Sequence, residues 1–453
     1  MTIAQIKKEA SQQQENLSTI VANAIKQAKR RVDSVQVSIN QSTGISVSTR
    51  LGETENVEFN SDGALAITVY QNQRKGSAST NDLSPSAISQ TIDMAINIMQ
   101  YTSPDPYSGL GDANLMAFNP PDLDLFYPSD LNVDEAIEQA KQAEQIALAQ
   151  PKINSSDGGY FSSRYGIYVY GNSLGMLQGY CASSHSLSCS VIAEQDGQME
   201  RNYAYTSSRD ISQLSSPTWV GKQAAERTVA HLGAKQIATM QMPVLFCADV
   251  AVGLMGHLIS AISGGSIYRK SSFLLDSVGQ SIFPSWLTIY EDPHILKGIG
   301  SSPFDSEGTQ TIKRNIVEQG VLQTYLLGNY SARKLGLTTT GHAGGIYNWL
   351  ISASQIDAGF DAMLKKLHKG LVITSLMGQG VNTVTGDYSR GASGFWVENG
   401  EIQYPVNEIT VAGNLKNMYK NIVAIGNDVE TRGNIQCGSI LIENMSIAGK
   451  SLL

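Results

Sequence analysis

The chain has 453 residues, of which 42% are hydrophobic and 16% charged, and its formal net charge is −8. This composition is typical of a globular protein with two or three domains, and it excludes a disordered chain. Basic residues occur only in short clusters, so the sequence lacks the basic stripe that a direct nucleic-acid interface requires.

The first 14 residues contain no apolar segment that would suit a secretory signal. The longest apolar stretch, 242–262, is interrupted by proline, aspartate, histidine and two glycines. It therefore predicts a buried strand followed by a core helix rather than a membrane span. The four cysteines form no Cys-x-x-Cys pair, which favours a reduced, cytoplasmic protein.

Helices and alternating strands are both predicted in the first half of the chain. Apolar residues recur with the helical period in some segments and alternate with polar residues in others. Ser84-Pro85 is a helix start, with a capping serine and proline at the first helical position. The predicted elements are helices at 3–31, from 84 onward, 132–150 and 216–235, strands at 34–40, 44–51, 53–60, 64–72 and between 167 and 206, and turns at 61–63, 171–172 and 196–197.

A loop rich in proline, aspartate and glycine, 102–128, separates two of these helices. A loop of this length usually has a function or marks a boundary. Because the strands cluster in antiparallel meanders and do not alternate with helices, we predict an α+β domain for residues 1–237.

Residues 238–453 are rich in glycine and predict mainly strands. We expect a β-sandwich or a partly closed barrel with helices packed outside. The predicted elements are strands at 311–326, 371–374, 393–397, 401–404, 422–426 and 439–442, a hairpin turn at 398–401, and helices at 357–366 and 411–420.

One apolar helix is predicted to follow a buried strand at 243–246, and it contains Val252, Gly253 and His257. A zinc peptidase would place two histidines and a glutamate on such a helix, because two imidazoles hold the metal and the carboxylate accepts a proton from the bound water. The six histidines of this chain show no pair at i+3, i+4 or i+5. A metal site assembled from distant residues such as His257, His342 and Cys437 stays open.

Three other segments are candidates for a substrate cleft. Asp305, Glu307 and Gly308 form either an acidic turn or a group that points backbone and side-chain atoms into a cleft. Arg390, within GDYSRG at 386–391, either binds a peptide or carboxylate or lies in a polar loop. His342 lies in the glycine-rich segment GHAGG at 341–345.

Several C-terminal segments resemble the PmbA/TldD family, and in particular its PmbA branch, also called TldE. The resemblance covers nearly the whole chain. The segments that carry it most clearly are FDSEGT at 304–309, GNYSARKLG at 328–336, SGFWVENGEI at 393–402 and NIQCGS at 434–439.

The resemblance implies a cytoplasmic protein that works as one of a pair. The TldD-like partner of such a pair carries a His-Glu-x-x-x-His zinc motif, and the complex cleaves unfolded peptides or processes peptide precursors. In this sequence the motif falls on Val252, Gly253 and His257, so the first histidine and the glutamate are absent. Valine cannot ligate a metal and glycine cannot accept a proton.

We therefore expect a subunit of a metalloprotease complex that lacks its own zinc site and shapes the chamber. Its expected partners are a TldD-like catalytic subunit, which holds the zinc, and unfolded peptide. No catalytic residue or metal ligand is assigned to this chain, which is expected to be inactive alone. The rival interpretation is a stand-alone peptide- or protein-binding homodimer without hydrolytic activity. A third, which follows the family's older name, is a modulator that contacts DNA-handling proteins.

Overall fold

The computed structural model describes residues 1–353, 356 and 359–449. In the first half, six antiparallel strands form one sheet. These strands are β1 (Ser34–Arg50), β2 (Glu53–Gln71), β3 (Arg74–Thr80), β4 (Ile153–Asn172), β5 (Leu177–Gln195) and β6 (Gln198–Ser208). Their spatial order is β3-β2-β1-β4-β5-β6, so the two meanders meet where β1 pairs with β4.

Four helices cover one face of this sheet: α1 (Ile3–Ala28), α2 (Pro85–Tyr101), α3 (Val133–Leu148) and α4 (Pro217–Val229). Capping residues mark where these helices begin. Ser84 caps α2, and Asn132 and Glu135 form a reciprocal capping box at the start of α3. Aliphatic side chains of the strands and alanine-rich faces of the helices make two apolar cores between these layers.

The opposite face of the sheet carries hydroxyl groups where the helix-covered face carries apolar side chains. Strand pairing places on this one face the residues that we call the hydroxyl face: Ser46, Ser48, Tyr160, Ser162, Ser186, Ser188 and Tyr205. All of them except Ser46 are at least partly accessible. The second half of the chain lies on this side, and the clefts between the two halves open onto it.

The second half contains eleven strands and five helices among its described residues. The strands are β7 (Met240–Phe246), β8 (Leu287–Asp292), β9 (Arg314–Glu318), β10 (Val321–Leu322), β11 (Asn348–Ala353), β12 (Gly370–Met377), β13 (Asp387–Glu398), β14 (Glu401–Asn414), β15 (Ile422–Ile425), β16 (Ile435–Gln436) and β17 (Ile440–Ala448). The helices are α5 (Ala248–Ile262), α6 (Gly264–Tyr268), α7 (Asn329–Leu335), α8 (Gly359–Leu367) and α9 (Leu415–Lys420).

Five of these strands close into a barrel. The order β14-β13-β12-β7-β17 is completed by pairing between β17 and β14, and β15 adds to β17 outside the ring. A second sheet, β10-β9-β8-β11-β16, packs beside the barrel. No helix of the described ranges is both long and apolar enough to cross a membrane.

The predicted fold class is confirmed: an α+β half with an antiparallel sheet precedes a mainly-β half built around a closed barrel. The division between residues 237 and 238 stays a prediction. The hairpin turns at 196–197 and 399–400 are also confirmed, and all four residues adopt positive φ angles as tight hairpins require.

The predicted turn at 61–63 is wrong. These residues lie inside β2 and pair with 41–43 of β1, so the four short strands predicted here are two long ones. The turn between them is formed by Leu51 and Gly52, which have φ angles of 52° and 82°. The turn predicted at 171–172 is displaced to 173–176, and β4 begins at Ile153, well before the predicted strands.

Several boundaries in the second half also differ from prediction. Most of 311–326 is irregular apart from β9 and β10, and the segment from Val411 continues β14 before α9 begins at Leu415. The helix predicted at 357–366 corresponds to α8, although position 357 lies outside the described residues. The strands β3, β8 and β11 were not predicted, because their sequences lack a long apolar alternation.

Candidate functional site

Helix α5 follows β7 directly and lines a cleft of about 600 Å³ between the two halves of the chain. Val252 and Gly253 face this cleft, together with Arg390 of β13. A Cβ atom at Gly253 would meet no atom within 4 Å, so the helix surface is open there. The volume lies within the range of small-ligand sites.

His257 lies on another side of the same helix. In a regular α-helix, residues five apart are separated by roughly 140° of rotation, and α5 is continuous from Ala248 to Ile262. The His257 ring packs edge-on against Tyr388, with 5.8 Å between ring centroids. In this chain the His257 ring contacts Tyr388 and does not belong to the cleft lining that contains Val252 and Gly253.

The surroundings of His257 do not suit a zinc ion. In the described part of the chain, no three histidine, cysteine, aspartate or glutamate side chains come close enough together to hold a metal. Burial lowers the pKa of His257, and the positive charge of Arg390 lowers it further. Cys437 is fully buried, with its Sγ 3.1 Å from the Gly438 carbonyl, and His342 is committed elsewhere. The described residues around His257 therefore do not fit the zinc ion that the family resemblance implies.

Arg390 brings a positive charge to the cleft without a matching carboxylate. Its Nε donates to the Gly378 carbonyl at 3.1 Å, and it forms no ion pair with any described residue. The neighbouring Tyr388 is buried, which raises the pKa of its hydroxyl to about 12, and the charge of Arg390 offsets part of that rise. The Tyr388 hydroxyl nevertheless meets no partner at hydrogen-bonding geometry among the described residues.

The other side of the cleft is formed by α4. Arg227 pairs with Asp249 at 3.1 Å, so the carboxylate nearest the start of α5 is already neutralised. His231 Nδ1 lies 2.8 Å from the Arg227 carbonyl, and its Nε2 lies 2.8 Å from the Thr374 hydroxyl of the barrel. This group carries no signal in the sequence, because 22 residues separate Arg227 from Asp249 and 143 separate His231 from Thr374.

Asp305 lies at a different junction, beside a cavity of about 550 Å³ that the hydroxyl-bearing side of the first sheet also lines. Its Oδ1 accepts hydrogen bonds from the backbone N–H groups of Glu307 and Thr309, both at 2.9 Å, and its Oδ2 accepts one from Ala343 at 3.1 Å. Burial raises the pKa of Asp305 to about 7, and the charge of Glu307 adds to this, against the lowering effect of the three donors.

Glu307 and Gly308 hold this turn against its neighbours. Glu307 accepts hydrogen bonds from the backbone and side-chain nitrogens of Asn329, at the start of α7. Gly308 has a φ angle of 77°, and a Cβ atom there would lie 2.5 Å from the Tyr170 ring. The backbone of the long loop joins the turn as well, since Ala117 N donates to the Gly308 carbonyl at 2.9 Å.

His342 belongs to a buried network centred on Glu291. Its Nε2 lies 2.7 Å from Glu291 Oε1, while Glu291 Oε2 accepts from Tyr347 N at 3.0 Å and from Trp349 Nε1 at 2.8 Å. The other imidazole nitrogen, Nδ1, lies 2.8 Å from the Thr340 hydroxyl. Every polar atom in this network has a partner, which is what a structural role requires.

The candidate cleft residues therefore fall into two groups. Arg390 shares the cleft beside α5 with Val252 and Gly253. Asp305 lines the other cavity, and Glu307, Gly308 and His342 support the structure around it.

Three family models together match most of the chain. Their descriptions are PmbA/TldA metallopeptidase domain 1, over residues 35–98, central domain, over 126–232, and C-terminal domain, over 239–449. The chain belongs to the PmbA/TldD family. The resemblance to this family, and to its PmbA branch, is confirmed by these matches and by the relatives described next.

Relatives within the PmbA/TldD family match over nearly their full length. The Metalloprotease PmbA of Escherichia coli is 58% identical over 439 residues, covering 97% of each chain. A PmbA homologue from Haemophilus influenzae is 53% identical and covers 96% of this chain and 97% of its own. Both names identify metalloproteases, so this chain belongs to a metallopeptidase family.

Solved structures share the fold. A putative modulator of DNA gyrase from Bacteroides thetaiotaomicron superposes with a TM-score of 0.90 at 28% identity, covering 95% of this chain and 98% of that one. TldE from Thermococcus kodakarensis gives a TM-score of 0.82 over 95% of this chain and all of its own, at 19% identity. The latter similarity is one of fold alone.

Proposed function

We propose that this chain is the non-catalytic, PmbA/TldE-type subunit of a metalloprotease assembly that cleaves unfolded peptides or processes peptide precursors. In this proposal a TldD-like subunit supplies the zinc and the general base. The observation that carries the proposal is the cleft beside α5. It has the location expected for a metallopeptidase site, yet it presents valine, open backbone and an arginine in place of ligands.

The hydroxyl face supports a role in holding extended peptide. Serine and tyrosine hydroxyls both donate and accept hydrogen bonds, so they can pair with the main chain of a peptide of any sequence. Two clefts open onto this side of the sheet, and they are lined by Ser48, Tyr160 and Ser188 in one and by Asn40 and Tyr168 in the other. A wall of this kind suits a chamber that accepts varied peptides.

We place the assembly in the cytoplasm. All four cysteines are free, and Cys189 and Cys437 are buried. Cytoplasmic proteins keep their thiols reduced, whereas secreted proteins usually pair them. The acidic net charge, −8, argues against direct contact with nucleic acid, since such contact depends on neutralising phosphates.

Mixing the purified chain with a purified TldD-like partner tests the proposal. We expect cleavage of an unfolded peptide by the mixture and none by either chain alone. Elemental analysis should find zinc in the partner and less than stoichiometric zinc in this chain. Full peptidase activity from this chain by itself, with one bound zinc per chain, would overturn the proposal.

The same experiment separates the rival function, a binding homodimer without hydrolytic activity. Light scattering would then show a dimer of this chain that a TldD-like protein does not dissociate or join. Peptide binding without any gain in cleavage on mixing would favour that rival.

A further inference from the structure

The cleft beside α5 has an excess of donors at one end. Arg390 lines it with a guanidinium that donates from Nε to the Gly378 carbonyl and has no carboxylate partner among the described residues. A half-buried guanidinium without an opposite charge beside it is well suited to bind an anion, because its planar fork of N–H donors matches a carboxylate.

The acidic residues that line the same cleft do not pair with Arg390. Asp249 is held by Arg227 at the other side of the cleft, and Glu226 accepts a hydrogen bond from Gln223 on its own helix. A ligand that complements the free end of the cleft therefore has to bring its own anionic acceptor.

The cleft also continues into its neighbour. The cleft along the hydroxyl face shares Asn202, Tyr203, His231 and Ser375 with the cleft beside α5. The two make one groove that runs from the serine-lined wall to Arg390. A peptide lying along the wall would reach the arginine with one of its ends.

We propose that this groove binds the C-terminal carboxylate of an extended peptide through the guanidinium of Arg390. The planar guanidinium matches the two oxygens of a carboxylate, and hydrogen bonds between charged groups are stronger than neutral ones. The inference rests on the proposed function only in assuming that this chain holds peptide. In physical terms, an anion site replaces the cation site that the family's zinc motif would make on this helix.

Fluorescence anisotropy with two pools of random ten-residue peptides tests the inference. Both pools carry an N-terminal fluorescein, and they differ only in a free or an amidated C-terminus. We expect the free-carboxylate pool to bind roughly ten to a hundred times more tightly, as a charge-assisted pair requires. Equal affinity for the two pools, or no binding of either, overturns the inference.

Arg390→Gln should abolish the preference for the free carboxylate while circular dichroism stays unchanged. Arg30→Gln is the matched control, since Arg30 is exposed and makes no hydrogen bond or ion pair with a described residue. A preference that survives Arg390→Gln contradicts the inference. An amidated pool ending in glutamate completes the design, because binding as tight as that of the free acid would assign the site to acidic side chains instead.

A second readout follows the ring of His257 by NMR, assigned with His257→Gln. A carboxylate beside Arg390 neutralises the charge that helps lower the pKa of His257, so the free-acid pool should raise that pKa and the amidated pool should not. Cleavage by the mixed subunits tests the proposed function separately. Cleavage without a carboxylate preference would refute this inference alone.

Discussion

The cleft beside α5 and the network around Glu291 both contain charged side chains, but the two regions differ in whether every charged group has a partner. Glu291 is completely buried and hydrogen-bonded on both oxygens, and its histidine partner has both ring nitrogens engaged. Arg390 is half-buried, borders open space and has no carboxylate partner among the described residues. Glu291 and His342 therefore have a structural role, whereas the guanidinium of Arg390 is available for binding.

The largest expected effect comes from breaking the closed network. Glu291→Ala removes the acceptor of His342, Tyr347 N and Trp349 Nε1 together. We expect the free energy of unfolding to fall by about 3–5 kcal/mol, measured by urea denaturation. Glu318→Ala, at an exposed position, should change it by less than about 0.5 kcal/mol. A loss as small as that of the control would show that the network is not structural.

The protonation of Asp305 should make the free energy of unfolding depend on pH. Its pKa is raised to about 7 in the folded state, so the folded chain binds this proton more tightly than the unfolded chain does. The resulting stability is complete below about pH 4 and is lost as the pH rises through 7. We expect Asp305→Asn to remove a decline of a few kcal/mol between pH 4 and 8.

The matched control for that experiment is Asp62→Asn, on an exposed part of β2. It should leave the pH profile of the free energy of unfolding parallel to that of the unaltered chain. A parallel profile for Asp305→Asn as well would mean that the carboxylate is ionised throughout this range.

A smaller effect is expected at the turn beside Asp305. Gly308→Ala would place a Cβ atom 2.5 Å from the Tyr170 ring at a φ angle of 77°. We expect the free energy of unfolding to fall by about 1–3 kcal/mol. Gly433→Ala, where an added Cβ meets nothing within 4 Å, is the control. Equal urea midpoints for the two variants would contradict the packing described here.

The smallest expected effect on stability comes from comparing one buried tyrosine in each of the two regions. Tyr347 and Tyr388 are both buried, but the Tyr347 hydroxyl donates to the Gly341 carbonyl and the Tyr388 hydroxyl has no partner among the described residues. Tyr347→Phe should lower the free energy of unfolding by about 1–2 kcal/mol, whereas Tyr388→Phe should leave it unchanged or raise it slightly. A loss at Tyr388 equal to that at Tyr347, in urea titrations, would mean that a partner for Tyr388 has been missed.

Local signals in the sequence were enough for the start of α2 and for the hairpin turn at 399–400. The cap at Ser84 and the Asn399-Gly400 turn act within a few residues, and both structures follow them. The Ser61-Asp62-Gly63 turn failed because pairing along the whole of β1 and β2 outweighs a local turn preference.

The candidate site was only partly predictable. Arg390 was a candidate from the sequence and lines the cleft beside α5, but GDYSRG at 386–391 is mostly the start of β13 rather than a polar loop. Interpreted as a strand, it would have placed Tyr388 on the same face as Arg390. The pairing of Glu291 with His342, 51 residues apart, has no comparable signal in one sequence.

The chemistry of the hydroxyl face also limits how selectively this sheet can bind a peptide. The serine and tyrosine hydroxyls offer a bound peptide many weak hydrogen bonds and no apolar pocket. No single residue of the peptide therefore contributes much to the binding affinity. Partners would slide along such a surface and leave it readily. Selectivity, where it exists, must then come from the ends of the groove and not from its floor.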